Sequence, residues 1–176
     1  LGLNYNTICI YVTPAPSSGG KTSAVFETPI PMVSLTSSVK TSKSRTRIQV
    51  SRTVTGDKVH FKLSGNVKQG GGPSRIYKSI DEPQPFFRQM FKVVMDEKNI
   101  SVSGTYRQGR APKGSTAVTH LDSDTLGVIV GKMNKYSSNY MAESLLKAVG
   151  AEASGLPGTT SKGLARVDKM LKKMGN

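Results

Sequence analysis

The sequence predicts an α+β chain, and the order of its patterns carries that prediction. Residues 1 to about 68 hold short alternating apolar runs with no helical periodicity. A Phe/Met-rich helical stripe follows near residue 90, and apolar residues then recur at helical spacing to the end of the chain. Strands first and helices afterwards, without regular alternation, is an α+β order. We read a β-rich unit over residues 1–74, a helix–strand unit over 75–116 and a helical portion over 117–176.

The elements justify this reading one by one. "NTICIYVTP" alternates as a half-buried strand does. "KTSAVFETP" and "PMVSLTSSV" are short runs bounded by Pro and Ser. "RIQVSRTVTGDKVHFKLSG" predicts a hairpin, with Thr55-Gly56-Asp57 at its turn and Val59, Phe61 and Leu63 on one face. "KQGGGPS" is a connector, because consecutive glycines lose too much backbone freedom inside an element. A phosphate-cradling role lacks the Gly-Lys-Ser/Thr ending that such loops carry.

Residues Asp81 to Lys98 predict a helix capped by Asp81 or Glu82, with prolines in its first turn and Phe87, Met90, Phe91, Val94 and Met95 as its apolar face. "ISVSGTY" reads as a strand. Asp122 and Asp124 offer caps for a helix carried by Leu126, Ile129, Val130 and Met133. The next helix opens near Asn139 and stops at Gly150. Ser161 to Met174 form a last amphipathic helix with Lys162, Arg166, Lys169, Lys172 and Lys173 opposite its apolar side.

The formal net charge is +14, which calls for an anionic partner or setting: nucleic acid, an anionic membrane surface or an anionic wall polymer. Lys40 to Arg52 and Lys162 to Lys173 are the candidate surfaces. No apolar run is long enough to span a bilayer. The one cysteine, Cys9, has no internal disulfide partner and reads as a buried strand residue. His60 and His120 are isolated, and no Cys/His/carboxylate cluster has metal-ligand spacing. Neither a metal nor a cofactor is expected.

The stretch with chemical content is "KMNKYSSNYMAESLLKAVG", Lys132 to Gly150. Residues two apart on a helix point to nearly opposite sides, so Ser137 and Asn139 can share a pocket only from a turn. The flanking patterns place them at one, between a helix closing near Lys135 and another opening near Asn139. Such a turn can present a hydroxyl and an amide, a proton-relay group beside a two-way hydrogen-bonding group. The tripeptide alone says little, since Ser and Asn are ordinary helix caps. Ser64-Gly65-Asn66 repeats it at an expected strand end, where it reads as a turn.

Met133, Asn134, Lys135, Ser137, Asn139, Ala142, Glu143, Leu145, Leu146 and Gly150 together resemble the second active-site motif of class C, low-molecular-weight penicillin-binding proteins, which are serine-type D-Ala-D-Ala carboxypeptidases/endopeptidases. "GLPGTTSKGLARVDKML" and "PFFRQMFKVVMDEKNISVSG" are similar to that family too. The resemblance implies a penicillin-recognising, transpeptidase-like fold over 117–176 and an accessory insertion over 1–116. It implies peptidoglycan stem peptides as substrates, β-lactams as inhibitors and a periplasmic or other extracytoplasmic setting. Ser137 would relay a proton to the leaving D-Ala amine, and Asn139 would bind a substrate carbonyl and orient the catalytic lysine. Lys135 and Glu143 would support them, Glu143 by bracing Asn139 or Lys147.

The family also uses a Ser-x-x-Lys on a helix, where a lysine of lowered pKa activates the serine, and a later Lys-Thr-Gly. Ser18–Lys21 lies in a Pro/Gly-rich stretch and Ser37–Lys40 among β-prone residues, so both matches are expected decoys. Lys-Thr-Gly does not occur, and Lys21-Thr22-Ser23 and Lys40-Thr41-Ser42 precede Ser-x-Asn, in the wrong order. Together with Leu1 in place of Met, this leads us to expect a piece of a longer enzyme, inactive alone, with an apolar surface exposed. The competing readings are a basic nucleic-acid-binding module, short of stacking aromatics, and a non-catalytic wall-binding envelope protein.

Overall fold

The computed structural model describes residues 3–107 and 109–175. They divide into two compact units, Leu1–Gly109 and Arg110–Asn176. The first unit holds strands β1 (Thr7–Thr13), β2 (Ser23–Phe26), β3 (Val33–Ser37), β4 (Lys40–Ser42), β5 (Arg47–Thr55), β6 (Lys58–Lys68) and β7 (Ser74–Ser79), then helix α1 (Pro83–Glu97). The second holds helices α2 (Leu126–Tyr136), α3 (Asn139–Ser154) and α4 (Thr160–Lys173).

Two sheets form in the first unit. β1 lies between β2 and β7, antiparallel to both. In the second sheet β6 is central. It pairs antiparallel with β5 across a tight turn at Gly56, whose φ of 59° suits glycine. On its other edge β6 pairs in parallel with β3 and then β4. One register runs from Val33↔Val59 through Ser42↔Lys68, and Ser38 N continues the ladder by donating to the Leu63 carbonyl at 2.9 Å. β3 and β4 are therefore one kinked edge strand.

The alternation foreseen in the sequence becomes the core. Ile8, Ile10 and Val12 of β1 meet Val59, Phe61, Leu63 and Val67 of β6, with Phe86 and Met90 of α1. Phe26 and Phe61 meet edge-on at 6.0 Å. Each such side chain contributes roughly 1.5–3 kcal/mol by leaving water. Gln89 fastens α1 down, its Oε1 accepting from Met32 N at 2.8 Å.

Several expected details change. The buried face of α1 is Phe86 and Met90 with Val93 packed against the core, whereas Phe91 and Val94 are exposed. The sequence supports both stripes, because Phe86-Phe87 and Val93-Val94 are pairs of neighbours, and the sheet selects the earlier phase. Phe87 and Phe91 stack on each other instead, at 5.9 Å. Glu82 occupies the N-cap without a side-chain bond. The strand expected over Ile100–Tyr106 is absent: Ile100, Val102 and Tyr106 are exposed and no strand lies there to pair with. β7, unforeseen, is the strand beside α1 in sequence. Ser64-Gly65-Asn66 is no turn but the middle of β6, where Gly65 (φ 107°) comes so close to the Arg47 carbonyl that no Cβ would fit.

In the helical unit, Thr125 takes the N-cap of α2 without a side-chain bond, and Asp124 pairs with Lys132 at 2.5 Å. Gly150 does not end α3, which runs on to Ser154. It is buried, and a Cβ there would lie 2.7 Å from Gly163 N of α4. Gly150 and Gly163 are thus where two helix backbones touch, the role small residues play in close helix packing. Leu126, Leu164 and Met174 remain exposed. Among the described residues, no helix is long and apolar enough to cross a membrane.

Candidate functional site

The α2–α3 junction is a three-residue reversal, and each residue does something different. Ser137 is the C-cap of α2 in the left-handed conformation, φ 48°, ψ 45°. This position favours glycine or asparagine, and serine there costs on the order of 1 kcal/mol. Ser138 is the N-cap of α3, and its Oγ accepts from Met141 N at 3.3 Å. Asn139 is the first residue of α3.

The middle residue therefore carries the capping duty. Ser137 and Asn139 are exposed, and neither side chain has a hydrogen-bond partner among the described residues. The left-handed turn is what frees both from the opposite-sides geometry of a regular helix. A hydroxyl that donates and accepts thus stands two residues from an amide that does the same.

The supporting residues lie close in sequence. Lys135 is exposed, with Nζ 5.5 Å from the centre of the Tyr136 ring. Glu143 pairs with Lys147 at 2.7 Å, one helical turn along α3, so of its two expected partners the lysine is the one it meets. Both side chains are about half exposed, which limits the pair to a few tenths of a kcal/mol.

The remaining candidates fall elsewhere. Ser18 lies in a turn and Lys21 in an isolated bridge to Lys40. Ser37 ends β3, its Oγ accepting from Val39 N at 3.3 Å, and Lys40 begins β4. Neither Ser-x-x-Lys is on a helix. His60 sits on β6, its ring nitrogens 2.8 and 3.0 Å from the hydroxyls of Ser34 and Thr36. His120 is exposed in the connecting segment. Among the described residues, no group of three His, Cys, Asp or Glu could hold a metal ion.

The left-handed Ser137 was not legible from sequence, since nothing in "KYSSNY" distinguishes Ser137 from Ser138 as the C-cap. Periodicity locates the break between helices to within a residue or two but not the backbone turn inside it.

Known proteins bear on this arrangement. The chain is 26% identical over 117 residues to the D-alanyl-D-alanine carboxypeptidase of Actinomadura sp. (strain R39). The match spans 64% of this chain and about a fifth (21%) of that enzyme's length. Two crystal structures of penicillin binding protein 4 from Haemophilus influenzae, one complexed with a β-lactam, superpose on 99% of this chain with TM-scores of 0.70 and 0.71. They are 18% and 19% identical to it, and this chain covers 40% and 38% of theirs, so they establish the shared fold. The family model for the D-Ala-D-Ala carboxypeptidase 3 (S13) family matches residues 2–175, nearly the whole chain, and the chain belongs to that family.

Proposed function

We propose that this chain supplies the Ser-x-Asn part of a serine-type D-alanyl-D-alanine carboxypeptidase/endopeptidase that cleaves peptidoglycan stem peptides through an acyl-enzyme and is acylated by β-lactams outside the cytoplasm. The observation that carries this reading is the division of labour at the α2–α3 turn. Ser138 caps the helix, which leaves Ser137 and Asn139 exposed, without side-chain hydrogen bonds among the described residues.

In this mechanism the Ser137 hydroxyl accepts a proton from the catalytic lysine side and passes it to the departing D-Ala nitrogen. The Asn139 amide donates to a substrate carbonyl through Nδ2 and accepts from the catalytic lysine through Oδ1. Lys135 adds positive charge near the turn, and the Glu143–Lys147 pair steadies the first turns of α3. Residues 117–176 would belong to the penicillin-recognising domain and 1–116 to an accessory one. The nucleophilic serine and its lysine would come from another part of the same polypeptide, because neither Ser-x-x-Lys here is helical.

Fluorescent-penicillin labelling tests this. The expected result is a labelled longer parent, an unlabelled 176-residue chain, and a parent Ser137→Ala variant acylated about 100-fold more slowly, the usual weight of a positioned proton-transfer group. A labelled isolated chain, or a Ser137→Ala variant acylated at the parental rate, would overturn it.

A further inference from the structure

The outward face of the β3/β4–β6–β5 sheet is strongly and one-sidedly basic. Strand alternation sends Val59, Phe61, Leu63 and Val67 of β6 into the core and leaves Lys62 and Lys68 exposed on the other side. Register places Lys40 and Arg47 on either side of Asn66, in one row across three strands. Lys43 and Arg45 extend the row in the loop between β4 and β5, where Asn66 Nδ2 holds the backbone by donating to the Arg45 carbonyl at 2.7 Å. Lys62 and Lys68 are separated by roughly 20 Å of strand. The cations therefore form a stripe along β6 with a crossbar.

Nothing balances this charge. Between Thr28 and Ile80 the only acidic residue is Asp57, at the hairpin tip. None of Lys40, Lys43, Arg45, Arg47, Lys62 and Lys68 makes an ion pair among the described residues. Arg52 is different: it sits on the inward side of β5 and is engaged by Asp81 at 2.7 Å. Beside the exposed cations lie short hydroxyl and amide side chains, Gln49, Ser51 and Thr53 among them, of the kind that bond phosphate oxygens readily. The face also carries no Phe, Tyr or Trp to stack on, and its one ring, His60, is held by the Ser34 and Thr36 hydroxyls at 2.8 and 3.0 Å. Phe61 is the only Phe, Tyr or Trp between Val33 and Lys68, and it is fully buried.

We propose that this sheet face is a docking surface for a linear phosphodiester polymer that carries no bases, such as a polyol phosphate. The charge selects a polyanion, the length of the stripe selects a linear one, and a polar surface without Phe, Tyr or Trp suits phosphates without stacked bases. The sheet belongs to the first unit and the α2–α3 turn to the second, and the inference does not depend on the catalytic reading.

The test uses the full 176-residue chain and a synthetic glycerol phosphate oligomer, with binding followed by titration across a range of salt. Engaging up to six phosphates predicts a log–log salt slope near about −4. The triple variant Lys40→Glu/Arg47→Glu/Lys62→Glu should bind at least about tenfold more weakly. The same number of reversals on α4, Lys169→Glu/Lys172→Glu/Lys173→Glu, should change binding less than about twofold. Lys62→Gln, which removes one charge from an exposed position, should lower the slope by nearly one. Equal losses from the sheet and α4 variants would overturn the proposal, because net charge alone would then explain binding. Tighter binding of an oligothymidylate of equal phosphate number would overturn it in favour of nucleic acid, and equal binding of polyglutamate would remove the phosphate assignment.

Discussion

Ser137 holds a conformation that glycine would hold without strain, so the hydroxyl is kept at a cost. Replacing it separates the cost from the chemistry. Ser137→Gly should stabilise the helical unit by about 1 kcal/mol in denaturant unfolding, from relief of the left-handed backbone, while removing the relay group. Unchanged or lower stability would mean that the turn is not strained at Ser137. Cys9 illustrates the opposite, a nucleophilic atom kept out of reach. It is buried in β1, and burial, helped by the negative charge of Glu27, pushes its thiol pKa above the ordinary value. Less thiolate at any given pH means slower alkylation. A thiol reagent at pH 8 should therefore modify native Cys9 far more slowly than the denatured chain, and equal rates would show that the strand opens freely.

At the scale of elements, the crossing of α3 and α4 depends on two glycines whose lack of a side chain lets backbones touch. Gly150→Ala puts a methyl 2.7 Å from Gly163 N. It should cost about 1–3 kcal/mol despite alanine's better helix propensity, read as an earlier loss of helical circular dichroism in urea. A stabilised variant would mean that the helices do not cross there. The same glycine shows why the sequence misleads. Gly near the end of an apolar-periodic run is read as a stop, and only the partner helix reveals it as a contact. β6 was legible because it alternates, one face buried and the other wet, and β1 was legible from its apolar, β-branched run although Cys9 is buried on its second face too. β4 and β7 were not. β4 has only three residues and borrows its register from β3, and β7 lies in "SRIYKSI" just after a glycine run. The α1 helix was legible but its phase was not, since adjacent apolar pairs satisfy two stripes and only the sheet chooses between them. The Ser-x-Asn turn was located by the helical patterns on both sides, while its capping by Ser138 depended on backbone angles that letters do not carry.

At the scale of the whole molecule, the two units differ in how they are held. The first has a continuous apolar core built from β1, β6 and α1, with Phe61 and Phe86 fully buried. In the helical unit the only buried described residues are Gly150 and Gly163. The segment from Ile100 to Thr125, where described, has no helix or strand and is exposed throughout. Backbone with few packed neighbours opens at almost no free-energy cost, so a protease reads it first. Trypsin has Arg107, Arg110 and Lys113 available there. Limited digestion followed by intact-mass measurement should show first cleavage at these residues. The N-terminal product should then outlast the C-terminal one, because most of its lysines and arginines sit on strands or on α1, which share one core, while α4 carries its basic residues on an exposed surface. First cleavage within β5 or β6 would mean that the sheet is less stable than its buried ladder implies. A C-terminal product that outlived the N-terminal one would mean that the helical unit has stabilising contacts beyond the glycine crossing.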